Sequence, residues 1–154
     1  MAVTASVFVL ASCASGGHAP TPSTSFAPPA TNPGGTPVLV GGPAARYVRV
    51  EVSAGSRQAQ VPAALAANLV PLLIARDVGL PSDLSPFGLD HPRATITFTE
   101  TTGATTVVTL GQPNFDNHGV YAIRAPMSRV WLVLASGVRP VLALVGVVVP
   151  PPTD

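Results

Sequence analysis

DLSPFGLDHPRATITFTETTGATTVVTLGQPNFDNHGVYAIRAPMSRVWLVL, residues Asp83 to Leu134, is the stretch whose reading decides the fold. It opens on a turn locked by Pro86, Gly88 and Pro92: each proline restricts the residue before it, and Gly88 can take a positive φ. Phe87 and Leu89 are expected to plug the edge of the core. Ala94 to Thr99 then alternates, with Ile96 and Phe98 on one side. Thr102-Gly103 is a plausible turn, and Thr105 to Leu110 returns as a second strand. Gly111-Gln112-Pro113-Asn114 breaks the chain, and Phe115 to Gly119 forms a loop. Val120 to Arg124 is a third strand, and Ala125-Pro126-Met127-Ser128 turns it into a fourth, Arg129 to Leu134. Short strands at about ten-residue spacing predict an antiparallel meander of two consecutive hairpins. The threonines of the first hairpin, from Thr95 to Thr106, read as its solvent face.

Upstream, Tyr47 to Val52 alternates strictly, which predicts an N-terminal strand with Val48, Val50 and Val52 inward. Pro62 to Arg76 (PAALAANLVPLLIAR) carries Leu65, Leu69, Leu72 and Leu73 at helical spacing among strong helix formers. It predicts one main helix, kinked or split at Pro71 and ended by Gly79 and Pro81. Val38-Leu39-Val40 reads either as a short edge strand or as the end of a spacer. Downstream, Val138 to Val145 predicts a short final helix, and Val147 to Val149 is strand-like or an unravelled end. The expected fold class is therefore α+β: a small antiparallel sheet, one main helix and a short C-terminal helix. The expected divisions are a leader at 1–12, a Pro/Gly/Ser/Thr-rich tether at 13–43, one domain at 44–146 and a Pro-rich tail at 147–154.

Nearly half of the 154 residues are apolar and only 10% are charged, unlike a solvated acidic tail or a coiled coil. All eight basic residues are arginines, spread singly from Arg46 to Arg139. A nucleic-acid surface needs a concentrated basic stripe that displaces counterions, so no nucleic-acid partner is expected.

One cysteine, Cys13, cannot form an internal disulfide. Its setting is informative. Ala2 to Ala11 is an apolar, small-residue run, too short to span a bilayer and suited to the central region of a signal peptide. It ends in Leu10-Ala11-Ser12-Cys13, which resembles the lipobox of bacterial lipoproteins, although no Lys or Arg precedes the run. The resemblance implies cleavage before Cys13, a diacylglyceryl group on its sulfur, and a lipid anchor at the outer face of a membrane. Ala14 to Pro37 has too few large apolar groups to offset ordering entropy and reads as a semi-flexible spacer, with His18 a solvated residue within it.

The helix, the D-L-x-x-F-G-L-D-x-P connector, the hairpins, the Leu110-Gly111 step, Tyr121 and Val130 to Val133 together resemble a bacterial cell-envelope family of domains of unknown function. The resemblance spans roughly Arg46 to Leu144, and its most specific part is Phe87, Gly88, Leu89, Asp90 and Pro92. It implies an α+β envelope module, in some members beside ABC-transport systems, with no known activity and no site residues to carry over.

The best polar constellation is Asp90-His91 with Asp116 and His118, which could hold a divalent metal if the two loops met. Neither pair has a recognised ligand spacing, so turn-capping and solvated roles are the expectation and no cofactor or metal is expected. There is no G-x-S-x-G elbow, phosphate-binding loop or dinucleotide fingerprint. Trp131, Tyr121 and Phe98 could line an aromatic groove for a peptide or glycan, but their apolar neighbours favour core packing. The expected function is a non-enzymatic binding or assembly module, lipid-anchored in the bacterial envelope with an envelope protein partner. The alternative is a small metal-dependent hydrolase or ligand-binding protein using Asp90, His91, Asp116 and His118.

Overall fold

Alternating apolar side chains build one sheet from almost every extended stretch of the chain. The computed structural model describes residues 37–153. Its strands are β1 (Val38–Val40), β2 (Tyr47–Ala54), β3 (Arg57–Gln60), β4 (Leu72–Gly79), β5 (Ala94–Glu100), β6 (Thr105–Pro113), β7 (Gly119–Arg124) and β8 (Val130–Leu134). The helices are α1 (Ala63–Leu69) and α2 (Ala135–Ala143), with short 3-10 turns at Ala44–Arg46 and Ser85–Phe87. The eight strands form a single sheet in the order β1-β4-β8-β7-β6-β5-β2-β3, and every neighbouring pair is antiparallel. The fold is thus a sheet-rich α+β arrangement, with a larger sheet than the hairpins alone predict.

The meander β5–β8 forms as the spacing of its short strands predicts. Ile96, Phe98, Val108, Leu110, Val120, Ala122, Trp131 and Val133 share one buried face. Against it lie Leu69 of α1 and Ala135, Val138, Val141 and Leu142 of α2, in one continuous hydrophobic cluster. Burying a side chain such as Phe98 contributes about 2–3 kcal/mol. Helix α2 leaves the end of β8, and its far end reaches the opposite edge of the sheet, where Arg57 Nη1 donates to the Val145 carbonyl at 3.4 Å.

Several expectations are corrected. The main helix is only seven residues long: Leu72 to Gly79, expected to be largely helical through Arg76, is strand β4. The reason is Pro71. It cannot donate to a helical hydrogen bond, and it pushes Val70 to extended angles (φ −108°, ψ 121°), so the helix stops there. Leu72 and Ile74 then point into the core by strand alternation. The strictly alternating β2 also breaks its own pattern. A register irregularity between Tyr47 and Arg49 leaves Val48 62% exposed, while Val50 and Val52 are buried. Of the two readings of Val38–Val40, the edge strand is the one formed, and all three side chains are buried. The final helix begins at Ala135, earlier than its expected Val138, and ends at Ala143.

The residues after α2 are held. Val149 is buried, and Arg139 donates from Nε to the Val149 carbonyl (3.2 Å) and from Nη2 to the carbonyls of Pro150 (3.0 Å) and Asn117 (3.3 Å). Arg93 Nη2 donates to Val148 (3.0 Å), and Thr153 N donates to Asp116 O (3.0 Å). Three consecutive prolines have no N–H to offer, so their carbonyls are the natural grip.

In the strand order β4 and β5 are separated by β8, β7 and β6, so residues 80–93 must cross those three strands. They cross on the face opposite the helices. Phe87 packs edge-on to Tyr121 of β7 with ring centroids 4.9 Å apart. Gly111 of β6 lies directly under the Phe87 carbonyl, where any Cβ would collide. Gly88 makes the bend at φ 63°, Gln112 Nε2 donates to Pro86 O (2.7 Å), and Leu89 is buried. Of the expected edge plugs, Leu89 is buried and Phe87 is half-buried.

Candidate binding groove on the open face

The crossing connector covers only part of the second face. Beside it lies a groove of about 410 Å³, lined by Arg76, Asp77 and Val78 of β4, Asn114, Phe115 and Asp116 of the β6–β7 loop, Tyr121 of β7 and Leu132 of β8. Register explains the floor. Tyr121 pairs with Leu132, and Leu132 with Arg76, so the three form a row across neighbouring strands on the face away from the core. Gly119 lets Leu132 lie flat, since a Cβ at that position would meet the Leu132 side chain.

The loop that makes the outer wall is fixed by its own side chains. Asn114 Oδ1 accepts from Gly119 N (3.0 Å), and Asp116 Oδ1 accepts from His118 N (2.9 Å). Asn117 takes the left-handed conformation (φ 59°), which asparagine tolerates. Its side-chain amide donates to Pro151 O (3.2 Å), and the His118 carbonyl accepts from Ala135 N (2.8 Å). So held, the loop presents Phe115 to solvent, 93% exposed. The donated His118 N–H holds the Asp116 carboxyl below the usual carboxylate range, and Asp116 is ionised at neutral pH.

On the other wall, Asp77 accepts from Gly79 N (2.9 Å) through Oδ1 and from Arg129 through Oδ2. Arg76 makes no side-chain hydrogen bond or ion pair among the described residues. The Tyr121 hydroxyl likewise has no partner among them. The groove therefore combines two aromatic rings, an apolar floor, an uncommitted guanidinium and a carboxylate beside the Asn114 amide.

The residues singled out in the sequence are placed differently. Asp90 and His91 cap their own turn: Asp90 Oδ1 accepts from His91 N (2.9 Å), and the imidazole is 95% exposed. His118 Nδ1 lies 3.5 Å from Asp116 Oδ1. Among the described residues, no three or more His, Cys, Asp and Glu side chains are placed to share a metal ion. The two loops thus do not assemble Asp90, His91, Asp116 and His118 into one site. Trp131 and Phe98 are core residues, so of the three candidate groove aromatics only Tyr121 reaches the groove. Arg76 was hidden by the expected helix, and Phe115 by its place in a loop with no periodic signal. The FGLD connector forms the roof beside the groove. Cys13, the leader and the tether up to residue 36 lie outside the described residues.

Comparison with protein-family models, with curated proteins and with solved structures finds no match. Among the described residues, no helix is long and apolar enough to cross a membrane.

Proposed function

We propose that this protein is a non-catalytic binding module of the bacterial envelope, held by a lipid on Cys13 at the outer face of a membrane and serving an envelope or transport complex there. The observation that carries the binding half is the preformed groove on the open face, whose wall loop is fixed by three side-chain hydrogen bonds of Asn114, Asp116 and Asn117. Its volume falls within the roughly 300–1,000 Å³ of ligand pockets, and its polar groups converge on an apolar floor. The lipobox-like Leu10-Ala11-Ser12-Cys13 carries the location. Nothing favours the hydrolase alternative: it needs both Asp-His pairs in one place, and each pair instead caps its own turn.

Two experiments test the two halves. Fractionation of cells expressing Cys13→Ala should move the protein from the membrane to the soluble extracytoplasmic fraction; a variant still retained on membranes refutes the lipid anchor. Capture from detergent-solubilised envelope should recover material with the wild-type chain and lose it with Arg76→Ala and Phe115→Ala. If those variants capture as much as the wild type, the groove is not the binding surface.

A further inference from the structure

The charges around the groove nearly cancel. Arg76 in the lining and Arg129 outside it stand against Asp77 and Asp116, and Asp77 is already engaged by Arg129. What faces the groove is a mixture: the uncommitted donors of Arg76, the Asn114 side-chain amide and the Asp116 carboxylate beside one another, and the Tyr121 hydroxyl, which both donates and accepts. An anionic ligand would meet the Asp116 carboxylate, and a cationic one would meet Arg76. A wholly apolar ligand would strip water from both without replacing the hydrogen bonds.

A ligand whose groups each donate and accept, without net charge, suits this lining. Hydroxyl groups do so, and a polyhydroxylated ring also carries a C–H face that can lie on an aromatic ring. The groove offers two such rings: Tyr121 in the floor, held by its edge-on contact with Phe87, and Phe115 standing in solvent at the wall. A phenylalanine 93% exposed on a loop this heavily hydrogen-bonded is held out in water by the loop's design, and a stacking partner accounts for it.

Building on the binding reading above, we propose that the groove binds a neutral saccharide, with Phe115 and Tyr121 contacting the faces of its rings and Arg76, Asn114 and Asp116 its hydroxyls.

The test is calorimetric titration of the full-length protein in detergent with a panel of neutral tetrasaccharides built from hexose, pentose and N-acetylhexosamine units. An oligouronate and an oligoglucosamine serve as anionic and cationic controls. The expected result is saturable binding of at least one neutral member, with both charged oligomers weaker by about tenfold or more. Phe115→Ala and Arg76→Gln should each weaken that binding by about tenfold, and Phe115→Tyr should restore it. Both side chains are exposed, so unchanged melting temperatures show that the variants are folded. Absence of binding to every neutral member, preference for a charged oligomer, or binding indifferent to Phe115→Ala each overturns the proposal. If no saccharide binds while envelope capture still depends on Arg76 and Phe115, the ligand class is wrong and the groove reading stands. If neither depends on them, both readings fall.

Discussion

At Gly111 the fold depends on an atom that is missing. The connector passes so close over β6 that a Cβ there would run into the Phe87 carbonyl oxygen, and Leu89 and Gly88 close the space around it. Backbone on one side and a buried side chain on the other leave little room to yield. Gly111→Ala should therefore cost about 1–3 kcal/mol, the usual penalty for overpacking, read as a lower midpoint in denaturant with an unchanged slope. A stability equal to wild type would mean that the connector can lift off the sheet. Gly88 was legible in the sequence, because a glycine between Pro86 and Pro92 announces a fixed bend. Gly111 was not: it reads as a strand breaker, yet it lies inside β6 and is there for close approach. Val48 is a similar case. Its place in a perfect alternation predicts burial, and the irregularity in β2 that turns it outward has no signature in the residues themselves.

At the scale of elements, the meander was legible and the run from Pro62 to Gly79 was not. Strand β5 announces itself by period-two alternation, and β6 to β8 by their short length and regular spacing between turn residues. In contrast, Leu69-Val70-Pro71-Leu72-Leu73-Ile74 is apolar throughout, and such a run fits a helix or a buried strand equally well. The proline decided the matter, ending the helix outright where a kink or a split into two helices was expected. The misreading also concealed the groove, because Arg76 and Val78 gain their places only once β4 lies beside β8. The C-terminal segment was equally hidden, since its order comes from hydrogen bonds to residues on other elements. Arg139 gathers the carbonyls of Val149, Pro150 and Asn117, tying that segment to the loop that bears Phe115. Arg139→Ala should destabilise the protein by about 2 kcal/mol, the scale of hydrogen bonds to a charged group, and should speed amide exchange at Thr153. Unchanged exchange at Thr153 would show that the segment is held by other contacts. Arg139→Lys should not restore protection, since a single ammonium cannot reproduce the forked guanidinium.

For the whole molecule, one partly buried hydroxyl makes stability depend on pH on the alkaline side. The carboxyls of Asp83 and Asp116 are pulled down by backbone N–H groups but lie at the surface, where solvent screens them. Tyr47 is different. Burial raises its hydroxyl above 10.0, with Arg46 opposing the shift, and the neutral phenol donates to Gly41 O at 2.7 Å. The stability it contributes is fully present below pH 10.0 and is lost as pH rises through the raised value. Unfolding free energy measured from about pH 8 to about pH 11 should fall above the ordinary tyrosine range. Tyr47→Phe should flatten that fall, at a cost of about 1 kcal/mol at neutral pH for the lost hydrogen bond. An identical alkaline decline in Tyr47→Phe would place its origin elsewhere.

The strand order has a consequence for the sequence of events as the chain is made. The first four strands, β1 to β4, end on the two flanks, and the last four fill the middle of the sheet. A chain emerging N-terminus first thus has no central strands for its early half to join: β2 waits for β5, and β4 waits for β8, almost the last element made. Only the β2–β3 hairpin is available locally, and an isolated hairpin is marginal in water. The fold is therefore completed late, after the meander has closed. A chain so arranged stays incompletely folded until nearly all of it has been made.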